Sequence, residues 1–193
     1  MKTSDKIEIW KQIVAVQMHF NELAMKIRNF FITMVFALLA SMGFLLEKKL
    51  NIEFLGITVY AVIFIPFAGI VGSYLFYFMD RHWYHRLLLG SVKQGIVVEN
   101  SIENSPEIKL TNAIGKESPV ELDNWFQKFV FWLTVFDKKS RDERKIHSNG
   151  KIEFFYISIM YLFLLLFIFG VLFGGVRYDG KSIAVYLWSL LPC

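Results

Sequence analysis

The chain of 193 residues contains one cysteine, Cys193, and four prolines. One cysteine excludes a disulfide framework within a single chain and any C-x-x-C metal or redox pair. Cys193 is expected to be an inert thiol; on an outward-facing tail it would be open to an intermolecular bridge. Also missing are a dinucleotide or phosphate-loop glycine pattern, a serine elbow, an H-E-x-x-H pair and paired carboxylates inside the apolar runs. The chain therefore reads as a non-enzyme, with no catalytic residue, no cofactor and no metal. The most telling absence is charge. Residues 29–46, 54–79 and 154–176 carry none, over 18, 26 and 23 positions.

What fills those runs is apolar. The chain is 55% hydrophobic and 17% aromatic, with twenty Phe. Soluble domains hold about 45–50% apolar residues and do not usually segregate them into blocks. At about 1.5 Å per residue, about 20 apolar residues cross a ~30 Å hydrocarbon core. The remaining residues are too few to surround three such helices in water. In lipid a helix satisfies its own backbone and needs no partner sheet. The expected fold is an all-α integral membrane helical protein, with three transmembrane helices plus amphipathic cytoplasmic helices. Its parts are a cytoplasmic amphipathic helix (1–28), spans at 29–46, 54–79 and 154–176, a basic region (80–153) with an amphipathic helix at 119–137, and an outward-facing tail (177–193). A polar lead and the lack of an A-x-A site argue that the first run is retained rather than cleaved.

The positive-inside rule supplies the orientation. Of 21 Lys and Arg, residues 1–28 hold five and 80–153 hold twelve, while 47–53 and the tail hold two each. The expected topology is multi-pass, with the N-terminus inside the cell. Membrane lipids are then partners, and the basic inner side suits an anionic leaflet or an acidic partner. No charge interrupts the spans, which argues against an ordinary coupled transporter. Three thin helices cannot enclose a pore, so a homo-oligomer is expected.

Local signals refine this outline. Glu8, Gln12, Ala15, His19, Glu22 and Lys26 form one narrow polar stripe at helical spacing, so helix 5–28 is expected to pack against other helices. Pro66 is expected to kink the second span, and Gly69 and Gly72 to admit a neighbouring helix. The second helix should run to about Val98 and give way to loop. Ser118 and Glu121 make a capping box with Pro119 as first helical residue, which predicts the helix at 119–137. Residues 137–145 read as a solvated loop. Residues 182–191 read as a short interfacial helix anchored by Tyr186 and Trp188.

One stretch concentrates polar chemistry: "DRHWYHR", directly after the second run. His82 and His85 are three apart and share a helix face, with Asp80 nearby. Three readings remain open: an interfacial anchor through Trp83, Tyr84, Arg81 and Arg86, a contact to a partner or neighbouring subunit, and a metal or catalytic site. Two His and one Asp are a weak metal signal. The candidate partner or interface residues are Arg81, His82, Trp83, Tyr84, His85 and Arg86, together with Lys138, Lys139, Arg141, Arg144 and Lys145.

The pairing of "MHFNELAMKIRNFF" (18–31) with "DRHWYHRLLLGSV" (80–92) resembles the membrane effectors of retron-type bacterial antiphage defence systems. That family is usually described with two spans, against three counted here. The resemblance implies abortive infection: a toxic membrane protein held inactive by a reverse transcriptase and its RNA–DNA hybrid, acting by permeabilisation or depolarisation. It implies no catalytic residues. The alternative is a non-toxic membrane scaffold subunit that anchors a cytoplasmic enzyme complex through helices 5–28 and 119–137.

Overall fold

The computed structural model describes residues 3–102, 109–178 and 181–189. Cys193, the end of the tail and the Asn104–Ser105–Pro106 part of the expected loop lie outside them, as does the side chain of Tyr186. The protein is an all-α membrane helical protein, and small antiparallel sheets join its helices. The elements are α1 (Thr3–Lys48), β1 (Asn51–Phe54), β2 (Ile57–Tyr60), α2 (Phe64–Met79), α3 (His85–Ser101), α4 (Leu110–Glu117), β3 (Val120–Glu121), α5 (Trp125–Thr134), α6 (Lys138–Glu143), β4 (Lys145–Ile146), α7 (Ser148–Gly170), β5 (Val176–Tyr178), β6 (Lys181–Ser182) and α8 (Ile183–Ser189). Three continuous helices, Thr3–Lys48, Ala61–Ser101 and Ser148–Gly174, are long and apolar enough to cross a membrane. Only 11%, 28% and 11% of their most apolar windows is buried within the chain. Phe30, Phe36, Phe44, Leu165 and Phe169 stand exposed. Water would penalise such faces and hydrocarbon does not.

The chain divides into two compact units. The apolar unit comprises residues 30–75 and 156–193. Its core is Phe31, Val35, Val62, Ile63, Tyr156, Ile157 and Phe163. The rings of Phe31 and Tyr156 meet at 4.7 Å between centroids. Gly69 and Gly72 do what their size predicts: a Cβ on Gly69 would sit 2.5 Å from the Phe163 ring, and one on Gly72 3.0 Å from the Met34 sulfur.

Residues 54–60, expected to begin the second span, are strand and turn instead. β1 and β2 pair antiparallel, with Ile52 opposite Val59. Between them Leu55 and Gly56 both take positive φ, 48° and 77°. That is the two-residue hairpin turn whose twist matches the strands. β5 adds to β2 and β6 to β5, giving the order β1-β2-β5-β6. The third span likewise ends before Val176, which is already in β5. Pro66 falls in the first turn of α2. An N–H there has no partner within α2, so proline breaks no bond of the α2 ladder, and it stands near the start of the Ala61–Ser101 helix rather than at mid-span.

The polar unit comprises residues 1–29 and 76–155. Its interior depends on buried carboxylates. Glu99, 2% exposed, accepts from Trp10 Nε1 (3.2 Å) and from the backbone N–H groups of Thr111 (2.8 Å) and Asn112 (3.3 Å). These two amides belong to the first turn of α4, whose N-cap position, Lys109, supplies no side-chain bond. A carboxylate from α3 thus caps α4 and ties α1 to both. Gln17 Nε2 of α1 donates to Ser91 O at 3.1 Å. Gly95 makes room, since a Cβ there would lie 2.6 Å from that amide nitrogen. The polar stripe of α1, from Glu8 to Lys26, is exposed.

The expected helix start at Ser118 is wrong. Ser118 follows the last turn of α4 with helical angles, and Val120–Glu121 is extended, paired with Lys145–Ile146. Pro119 suits an extended strand edge as well as a helix start, and the ribbon partner decides between them. α5 begins four residues after Glu121, where Gln127 Oε1 accepts from the N–H groups of Asn124 (3.2 Å) and Asp123 (3.0 Å). The expected loop 137–145 contains α6. Asp137 caps it, accepting from Ser140 N at 3.0 Å and Ser140 Oγ at 2.9 Å. Arg144 ends it in the left-handed region, at φ 54°.

Candidate functional site

The "DRHWYHR" stretch does not continue α2 as a plain α-helix. Asp80–Tyr84 forms a π-type turn between α2 and α3. Such a turn fits an extra residue into the helix and rotates the side chains after it; single π turns are frequent at functional sites. The turn gives each polar residue a different neighbour. Asp80 is fully buried and accepts from Arg28 Nε at 2.8 Å and Nη2 at 3.4 Å. Arg81 donates to the Tyr77 hydroxyl at 2.5 Å, forms an ion pair with Glu153, and stands 4.0 Å from Asp137. His82 is exposed and lies 5.0 Å from the Phe78 ring. Trp83 is exposed, edge-on to Phe78, and Tyr84 is half-buried. His85 is 6% exposed, and its Nε2 has no hydrogen-bond partner. Arg86 is exposed.

Four of these side chains line a pocket of about 480 Å³: Arg81, His82, His85 and Arg86. Leu89, Gly90 and Lys93 continue its wall along α3, and Asn149 completes it from α7. None of these lining residues is a carboxylate. The closest acids are spoken for. Asp80 holds Arg28, and Asp137 holds Ser140 and, at 3.3 Å, the Asn149 amide. Glu153 accepts from the backbone N–H groups of Phe136 (2.6 Å) and Asp137 (2.7 Å) besides pairing with Arg81. Among the described residues, Arg86 and Lys93 have no ion-pair partner. A buried imidazole and two uncompensated cations around one cavity form an anion-attracting site.

A larger cavity, about 670 Å³, lies under α5 and the ribbon. Its charges are of both signs, with Glu121, Asp123 and Glu143 facing Lys128, Arg141, Arg144 and Lys145, and one pair closes within it: Lys145 Nζ contacts Glu121 Oε1 at 2.6 Å. That hydrogen bond and charge lower the Glu121 pKa and raise that of Lys145. The balance of sign, not the volume, makes the smaller pocket the stronger candidate.

The second expected cluster has local work. Arg141 Nε donates to Val135 O at 2.7 Å and Nη2 to Trp132 O at 3.2 Å, which satisfies carbonyls at the end of α5. Lys145 serves the ribbon, and Arg144 ends α6. Lys138 and Lys139 are exposed on α6. Burial opposes ionisation of Asp137. The Ser140 N–H and hydroxyl, the Asn149 amide and the Arg81 charge outweigh it, so the carboxyl sits below its ordinary pKa. Among the described residues no three His, Cys, Asp or Glu side chains stand together as a metal site, and Asp80 is turned to Arg28. Comparison with protein-family models, with curated proteins and with solved structures finds no match to this chain.

Arg86, Gly90 and Lys93 recur at helical spacing, so their common face was readable. Asn149, from a distant helix, left no signal of its own.

Proposed function

We propose that the chain is a non-enzymatic, multi-pass effector of the bacterial inner membrane that belongs to a retron-type antiphage defence system. In this reading a reverse transcriptase and its RNA–DNA hybrid hold it inactive. Release lets copies assemble and depolarise or permeabilise the membrane. One observation carries the reading: three long helices with exposed apolar faces are joined to a polar unit bearing a one-signed basic pocket. Such a pocket gives an acidic partner a point of attachment, and the exposed helix faces give self-association a surface. The likeness of residues 18–31 and 80–92 to such effectors supports it.

Expression of the chain alone is expected to collapse the membrane potential, read by a voltage-sensitive dye, and to arrest growth. Co-expression of the partner ribonucleoprotein should restore both. Unchanged potential and growth without the partner would overturn the reading. Orientation has its own check. A cysteine placed at Lys138 in a Cys193→Ser background is expected to react with an impermeant maleimide only after the inner membrane is opened. Labelling of intact spheroplasts would reverse the assignment.

The scaffold reading keeps one observation in its favour. Trp125, Phe126, Phe129 and Trp132 recur at helical spacing on α5 and are exposed. A scaffold is harmless alone and co-purifies with its enzyme permanently, which separates it from the effector.

A further inference from the structure

We propose that the pocket at the start of α3 is a binding site for a phosphomonoester, the doubly charged phosphoryl group of a small organic molecule or lipid headgroup. This goes beyond the effector reading and stands without it. Three observations converge. Arg86 and Lys93 present two positive charges without an ion-pair partner among the described residues. His85, 6% exposed, lines the same cavity, and its buried Nε2 has no hydrogen-bond partner. A buried polar atom without a partner costs about 1–3 kcal/mol, a cost that a ligand oxygen would remove once the imidazole turns toward it. Asp80, Asp137 and Glu153 would otherwise repel an anion, and each is held by donors of its own.

The charge count favours a dianion. Arg81 already faces Glu153, so its positive charge is largely spent within the fold. Arg86 and Lys93 remain, matching the two negative charges of a phosphomonoester rather than the one of a carboxylate. Arg presents a planar fork of donors to two oxygens, and Lys adds a compact charge to a third. The pocket is too roomy for a bare phosphate: about 480 Å³ falls in the roughly 300–1,000 Å³ range of organic-ligand sites. Gly90 borders open space, since a Cβ there would meet nothing within 4 Å. The phosphoryl group would enter among Arg86, Lys93 and His85, with the organic remainder along Gly90 and Leu89.

The test uses the full chain. In uncharged detergent, calorimetric titration with adenosine monophosphate probes a soluble source. Thermal unfolding in phosphatidylcholine nanodiscs, with and without phosphatidic acid, probes a lipid source. Binding of the nucleotide that weakens about tenfold or more for each of Arg86→Ala and Lys93→Ala supports the site with a soluble ligand. Stabilisation by phosphatidic acid, lost in the same variants, supports it with a lipid ligand. Gly90→Trp fills the pocket without touching a charge and should abolish whichever response is present. Lys93→Arg should restore most of it. Both cations are exposed and have no ion-pair partner among the described residues, so these variants are expected to fold as the parent does. The proposal falls if neither probe responds, if the response survives Gly90→Trp, or if acetate competes as well as phosphate.

Discussion

Glu153→Ala is expected to destabilise the polar unit by about 3–5 kcal/mol, the cost of breaking a buried charge pair from one side. Glu153 is 2% exposed and sits near the start of α7. Its carboxylate meets Arg81 and accepts from the backbone N–H groups of Phe136 and Asp137. Truncation leaves two amides without their acceptor and takes from Arg81 its buried carboxylate partner, with the Tyr77 hydroxyl and the more distant Asp137 remaining to it. Asp137 then loses the backbone anchor from which it caps α6, so the damage spreads to the Ser140 contacts. Glu153→Gln keeps the volume and one carbonyl acceptor but removes the charge, and should cost less. The double variant Glu153→Ala/Arg81→Ala should be more stable than the sum of the single effects, because no orphaned charge remains. Unfolding in mixed micelles, followed by Trp fluorescence, measures these differences. An Ala variant within about 1 kcal/mol of the parent would mean that the Glu153 contacts contribute no more than an exposed ion pair.

The same residue shows where sequence reading runs out. Glu153 ends the region 80–153 and directly precedes the charge-free run 154–176. Its importance lies in contacts to Phe136 and Asp137, which no periodicity encodes. The apolar runs were legible because membrane spans need no partner: length and lack of charge suffice. Their edges were not. Residues 54–60 are charge-free and so were taken into the second span, yet Ile57, Thr58, Val59 and Tyr60 are strand formers behind a Leu–Gly turn. What turns that preference into a sheet is Val176–Tyr178, supplied from the other end of the chain.

Caps misled in a similar way. Ser118 with Glu121, and Asn124 with Gln127, have the same spacing. Only the second starts a helix, because Glu121 is drawn to Lys145 across the ribbon. Residues 137–145 read as a solvated loop in the sequence, with Lys138, Lys139, Arg141, Arg144 and Lys145 as candidate partner contacts. Part of it closes helix ends instead, as Arg141 does on Trp132 and Val135. For the pocket, the sequence marks Arg81, His82, Trp83, Tyr84, His85 and Arg86 as one cluster at a membrane edge, of which Trp83 and Tyr84 do not line it. The sequence did not show that Asp80 pairs with Arg28 while His85 stays buried beside the cations. That sorting follows from the π turn.

Gly69→Val is expected to break the apolar unit, by a mechanism unlike that at Glu153. In lipid, helices gain little from hiding apolar surface from water, so close packing of small residues carries more of the association. Even an alanine Cβ at Gly69 would lie 2.5–2.7 Å from three atoms of the Phe163 ring. Phe163 is 0% exposed, so the ring has nowhere to retreat. α2 and α7 must then separate, and the neighbouring close approach of Gly72 to Met34 depends on the same turns of α2. Overpacking of this kind costs about 1–3 kcal/mol for a single methyl group, and the branched valine should exceed it. Phe163→Leu is the compensating change: it vacates the ring volume and should recover part of the loss in Gly69→Ala. That recovery separates a steric clash from a loss of backbone flexibility, since Phe163→Leu cannot restore flexibility to residue 69. A Gly69→Val protein that unfolds with the parent's midpoint in the same micelles would show that α2 and α7 are free to part. The tight contact between these spans would then not be what holds the apolar unit together.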